Sequence, residues 1–389
     1  SYLDVPVAKK KARDMGCKLS AKSFKHDEVF AMSYTSKNVT DKVMATNGVI
    51  PKPEVKAREI TPVKLDESKP TNNNDPLLTQ LGGLDIMRVP DGEGSLITLA
   101  KFFGGWTAPM PSLPAQVVRS QSFTFHDSDV ILLGYAKSGS HWLWEMIHML
   151  MKGRPEYSQT PKERLMITFS TQEFFDTLDP PRVFNCHAPW QGLPPSLRTG
   201  QSDCRMIYIL RNPKDVAVSY YHQLSKQKIF DYEGSFHGYL DLFLEGKVPG
   251  GSWFDYVLGW EETVKNNPHL PLLVLYYEDT KEDTVATLRK VNEFLGLGRN
   301  EELLREVADC CTISKMRHMD QDLKHHLKDN PNVSKTGQSF MYRKGQVGDW
   351  KNHFSVADNN RFERIIKTKL KNSSLAFRYE LEEGNAEDL

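Results

Sequence analysis

Apolar positions along this chain fall into two spacings. Four short runs, 130–135 (VILLGY), 182–187 (RVFNCH), 204–211 (CRMIYILR) and 270–279 (LPLLVLYYED), are apolar over strand length. Elsewhere the spacing is helical: Trp142, Met146, Met149 and Leu150 recur on one face, and 284–297 (TVATLRKVNEFLGL) is amphipathic. Buried strands alternating with helices predict an α/β fold of three layers, a mostly parallel central sheet with helices on both faces. Ligands of such sheets collect at the carboxyl ends of the strands. There each run meets a residue with chemistry: Lys137, His187, Arg211, and Tyr277 with Glu278.

Upstream the pattern lapses. Residues 51–75 mix Pro, Lys, Glu and Asn with few large apolar side chains and read as a linker. The expectation is an N-terminal extension over 1–95, partly disordered, followed by one domain over 96–389. The apolar stretches DPLLTQLGGLDIMRV and SLITLAKFFGGW are expected to pack onto that domain.

Charge narrows the partners. Lys plus Arg and Asp plus Glu both number 50, so no global field draws the chain to nucleic acid or to an acidic membrane, and a bound anion needs a local site. Cys17, Cys186, Cys204, Cys310 and Cys311 form no CxxC pair, which argues against a disulfide framework and for a reducing compartment. No apolar run reaches the roughly 20 residues of a membrane helix, and the first residues lack the core of a signal peptide. A cytoplasmic protein is expected. His318, His325 and His326 lie in a charged stretch that reads as a solvated helix face, so no metal is expected.

The stretch YAKSGSHW, 135–142, joins the first strand to the first helix. It lacks the spacing of the nucleoside triphosphate and dinucleotide fingerprints but keeps their parts: Gly139 for a tight turn, amides from Ser138 onward for an anion, and Lys137 beside them. By itself such a turn is more often a plain helix start with serine as N-cap than a phosphate site. Two further stretches share the anion theme. In LRNPKDVAVSYYH an arginine leaves a strand and Ser219 follows about two turns into a helix; in RKGQVGDWKNHF two cations precede Gly345 and Gly348. The second, taken alone, is also an ordinary surface turn.

Together, in this order, these three stretches resemble the cytosolic sulfotransferase family, as do SWFDYVLGWEE, VLYYEDTKED and SSLAFRYEL; the resemblance covers about residues 98–381. It implies transfer of a sulfuryl group from 3′-phosphoadenosine 5′-phosphosulfate (PAPS) to a hydroxyl or amine of a small molecule, with 3′,5′-bisphosphate (PAP) as product and no metal. Carried over, Lys137 and the amides of Ser138, Gly139, Ser140 and His141 meet the 5′-phosphosulfate. Trp142 stacks on adenine and Tyr277 contacts its edge. Arg211, Ser219, Arg343, Lys344 and Gly345 hold the 3′-phosphate, and His187 is the catalytic base.

The chain also departs from the family pattern. Ala136 replaces Pro, Ser140 and His141 replace two threonines, and Asn185 stands where a lysine precedes the base by two residues. Ile313 stands in place of a Phe that would stack on the second face of the adenine, and Gln223 in place of an acceptor-pocket Phe; these departures suggest a polar or cationic acceptor. Lys351, Ser355, Val356 and Asn360 stand in an altered dimer motif, so monomer and homodimer both stay open. Trp190, Phe102, Phe103 and Trp106 are candidate walls for the acceptor. A second reading is a donor-binding, inactive homologue that acts as an interaction protein through its N-terminal extension. A P-loop kinase is disfavoured by the missing Walker loop.

Overall fold

A computed structural model describes residues 61–62, 84–200, 202–324 and 341–381. The linker expected over 51–75 lies outside these residues except at 61–62, as do Cys17, His325 and His326.

Two sheets organise the described chain. Strands β1 (Thr61–Pro62), β2 (Asp85–Pro90), β3 (Leu96–Phe102) and β4 (Gly105–Thr107) pair in sequence order, all antiparallel. Strands β5 (Val130–Leu133), β6 (Val183–Cys186), β7 (Arg205–Leu210) and β8 (Leu272–Tyr276) form a wholly parallel sheet in the order β6-β5-β7-β8. All residues of β5 and β6 are buried, as expected of strands covered on both faces. The chain is therefore α/β, with helices around a central parallel sheet. Helix Ser140–Lys152 buries Leu143, Trp144, Met146, Ile147, Met149 and Leu150, and helix Thr284–Leu295 buries Leu288 and Val291 in the same core.

The strand order places the functional crevice. The connection from β5 leads to β6 on one side and that from β7 to β8 on the other, so the carboxyl ends of β5 and β7 flank a topological switch point. Each strand ends one or more residues before its chemistry-bearing residue. Tyr277 and Glu278, expected on a strand, open a short helix, Tyr277–Glu282. The acidic pair Glu278 and Asp279 suits a helix first turn, where the peptide dipole favours negative charge.

The β2–β3 hairpin straddles the boundary expected at residue 95. Its turn docks on helix Phe236–Leu244: Gly92 N donates to Gly238 O at 3.1 Å, and Tyr232 donates to the buried carboxylate of Asp91 at 2.7 Å.

Candidate active site

The β5 loop is shaped by two left-handed residues. Lys137 has φ 72° and Gly139 φ 95°; for lysine that backbone costs roughly 1–2 kcal/mol, and such strain collects where a loop must face a ligand. Gly139, and no serine, occupies the N-cap of helix Ser140–Lys152, and no side chain caps the helix. The plain serine-capped start is thus not the one adopted, and the first-turn amides keep their capacity for an anion. A Cβ at Gly139 would lie 2.5 Å from the Tyr277 ring, so only glycine lets Tyr277 close against this loop.

Arg211 ties this loop to the glycine loop. Its Nη1 donates to Lys137 O at 3.2 Å and its Nη2 to Gln346 O at 3.2 Å, its plane lies over the Tyr277 ring at 4.2 Å, and its buried Nε meets no partner. Helix Pro213–Lys226 starts at Asn212, whose side chain accepts from Asp215 N. Asp215 in turn accepts from Gly348 N at 2.9 Å and Trp350 N at 3.0 Å, pinning the glycine loop. Arg343 and Lys344 both pair with the buried Asp349, and these cations hold its carboxyl well below the usual carboxylate range even though burial opposes them. Gly345 has φ 66°, and a Cβ there would approach Ile313 Cδ1 to 2.8 Å. Glu278 faces inward: its Oε1 accepts from Asn212 N and Nδ2, both at 2.9 Å, and burial raises its pKa.

His187 follows β6. Its Nδ1 lies 2.6 Å from Gly134 O, and because a carbonyl only accepts, Nδ1 carries the proton and Nε2 is the basic nitrogen. Burial, then the neighbouring Lys162 ammonium, pulls its pKa down to about 3, with Lys137 adding to the effect against the Gly134 hydrogen bond. The ring is a neutral acceptor at physiological pH.

One cavity of about 670 Å³ brings these groups together. Of the thirteen residues expected at the site, twelve line it: Lys137, Gly139, Ser140, His141, Trp142, His187, Arg211, Ser219, Tyr277, Arg343, Lys344 and Gly345. Ser138 is buried behind them. Of the four aromatic residues expected at the acceptor, only Phe102 reaches the cavity. Trp190 packs on Trp260, and Trp106 lies under Lys101. The apolar lining comes instead from Met110, Leu113, Val117, Met166, Phe169, Ile229 and Phe230, beside Gln223. Lys281, over the Trp142 ring at 5.1 Å, was not foreseen. Its signal was its place four residues after Tyr277, on one face of a helix. Among the described residues no cluster of His, Cys, Asp or Glu could hold a metal, and no helix is long and apolar enough to cross a membrane.

Residues 127–374 match the family described as the sulfotransferase domain. The chain belongs to the sulfotransferase family. Sulfotransferase 1C2 of Rattus norvegicus is 34% identical over 271 residues, covering 67% of this chain and 89% of that one. Its Homo sapiens counterpart is also 34% identical, over 276 residues with the same coverage. Among solved structures, mouse sulfotransferase SULT7A1 complexed with PAP superposes with a TM-score of 0.57 at 30% identity, covering 71% of this chain and 96% of that one. The activity of this sulfotransferase is therefore sulfuryl transfer.

Proposed function

We propose that this sulfotransferase uses PAPS as donor, releases PAP, and sulfates a hydroxyl or amine on a small acceptor with an apolar body. The observation that carries the reading is the convergence of His187, whose Nδ1 is held by Gly134 O, with Lys137, Arg211, Arg343 and Lys344 on one cavity. The structure of a relative complexed with PAP supports the donor. The residues present fit such a group: an uncapped helix start, a glycine cradle at Gly139, and an Arg211 Nε buried without a partner.

When bound, the donor supplies an activated sulfuryl group. The amides of Gly139, Ser140 and His141 hold the 5′-phosphate, joined by that of Ser138 once it gives up or shares its 3.2 Å bond to Tyr135 O, and Lys137 stands beside the oxygen that departs, offsetting the charge that develops on it. Trp142 and Tyr277 receive the adenine, with Ile313 as an aliphatic wall. Arg211, Ser219, Arg343, Lys344 and Gly345 hold the 3′-phosphate, which requires Arg343 and Lys344 to share their contact with Asp349. His187 Nε2 takes the acceptor's proton as the new S–O or S–N bond forms, then gives it to solvent. No metal is assigned a role. The apolar lining favours an apolar acceptor body over the polar or cationic one that Gln223 suggested. The cytoplasm suits the four described cysteines, all free thiols.

The test is to incubate the protein and its His187→Ala variant with isotope-labelled PAPS and a panel of phenols, alcohols, amines and sterols, and to titrate both with PAP. We expect labelled products from the parent, at least about 1,000-fold slower turnover in the variant, and PAP affinities within about threefold of each other. Tight PAP binding without any product would favour the inactive, donor-binding reading. Binding of PAP no tighter than ATP would sink the donor assignment.

A further inference from the structure

Lys162 is a lysine almost withdrawn from solvent, 4% exposed, on a 3-10 turn (Lys162–Leu165) between helix Ser140–Lys152 and β6. Lysine is almost never fully buried unless its ammonium is paired, because it otherwise forfeits hydration without return. Its Nζ donates to Ser140 Oγ at 3.0 Å and lies 3.4 Å from His141 Nδ1, while His141 Nε2 lies 3.2 Å from Glu163 Oε1. An ammonium only donates, so Nδ1 accepts and Nε2 carries the proton directed at Glu163. Two adjacent residues thus clamp His141 in one tautomer and one orientation. Ser140 and His141 line the cavity, and Lys162 stands behind them.

The turn itself is held from β6, the strand that leads into His187. Asn185 Nδ2 donates to Lys162 O at 2.9 Å, and Met166 bridges Asn185 as a parallel β-pair. Asn185 is fully buried and its Oδ1 has no partner, a cost of order 1–3 kcal/mol for a side chain whose other half secures the lysine's backbone. Asn185 lies on β6, and His187 directly follows the end of that strand. The same strand therefore places the base and fixes the lysine, and the Lys162 charge is already felt at His187 as the second-largest influence on its ring after burial.

We propose that Lys162 is a positioning residue for sulfuryl transfer: held by Asn185, it orients Ser140 and His141 and sets positive charge behind the reacting centre. The inference rests on the sulfuryl-transfer reading above. It also changes the meaning of Asn185, which secures a cation carried on another segment.

The test uses Lys162→Met, close in shape but uncharged, Asn185→Ala, and the double variant Lys162→Met/Asn185→Lys. With labelled PAPS and an acceptor found in the panel, Lys162→Met should lower kcat roughly 30- to 300-fold while the donor KM and PAP affinity stay within about threefold. Asn185→Ala should show the same split at roughly 3- to 10-fold. The double variant, with its ammonium returned from β6, should recover at least about a tenth of the parent kcat. A merely structural lysine predicts none of this split. Equal kcat in Lys162→Met, a parallel rise in KM, or a double variant no faster than Lys162→Met overturns the proposal. Should Lys162→Met fail to fold, Asn185→Ala decides by the same split. Turnover-independent evidence comes from ¹⁵N NMR of His141 at neutral pH. If the sulfuryl-transfer reading fails, loss of the single tautomer in Lys162→Met still supports the clamp, and unchanged nitrogen shifts overturn it.

Discussion

At the scale of single residues, His187 makes its own pH argument. Its imidazole is drawn down to about 3, and those of His148 and His222 to about 4, in each case by burial first. A base held below its unfolded value of about 6.5 refuses protons that the unfolded chain accepts. Stability from these rings is complete above about pH 6.5 and is lost as pH falls toward about 3, at up to roughly 4 kcal/mol for His187. Urea unfolding at pH 7.5 and pH 4.5 should therefore differ, with less of a gap in His187→Gln. Catalysis follows the same sign: kcat/KM reports the free enzyme, so its acid limb should fall well below pH 6. An acid limb centred at pH 6.5 would mean that the Nε2 nitrogen is not the group being titrated.

At the scale of elements, the phosphate-binding half of the cavity depends on one carboxylate. Asp215 accepts from Gly348 N, Trp350 N and Asn212 Nδ2 and lies 3.8 Å from Arg211, so it fixes the glycine loop against helix Pro213–Lys226. Asp215→Ala should cost about 2–4 kcal/mol in urea unfolding and weaken PAP binding at least about tenfold by calorimetry. A folded variant that binds PAP like the parent would remove Asp215 from this role. The sequence made such loops legible by composition, and the four strands by short apolar runs, broken in β6 by Asn185. Tyr277 was placed on a strand because the apolar run continues through YY; the helix there is declared only by the acids that follow. Lys162 was illegible for a different reason. A short 3-10 turn has no period to read, and its meaning comes from Ser140 and Asn185, each more than twenty residues away.

At the scale of the whole molecule, the cavity is a joint product of two sheets. The sulfotransferase-domain match begins at residue 127, yet Phe102, Thr107, Ala108, Met110, Leu113 and Val117 line the cavity from the segment before it. Acceptor choice can therefore change through that segment while the parallel sheet and its loops keep the donor chemistry. The same segment bears on where the domain starts. Residue 95 ends the turn between β2 and β3, six register pairs join those strands, and Val89 of β2 is 2% exposed in the core. A chain beginning at Leu96 would lose β2, the Arg88–Asp231 ion pair and the buried Asp91 contacts with Tyr232. Burying one valine contributes about 1.5–3 kcal/mol, and the lost ladder adds to it. Such a chain should melt roughly 5–10 °C below one beginning at Leu84, and its acceptor KM should rise more than its donor KM because β3, which β4 pairs on its other side, loses its β2 partner. Equal melting temperatures and equal acceptor KM in the two chains would place the boundary at 95 after all, with β2 an appendage that the catalytic domain does not need.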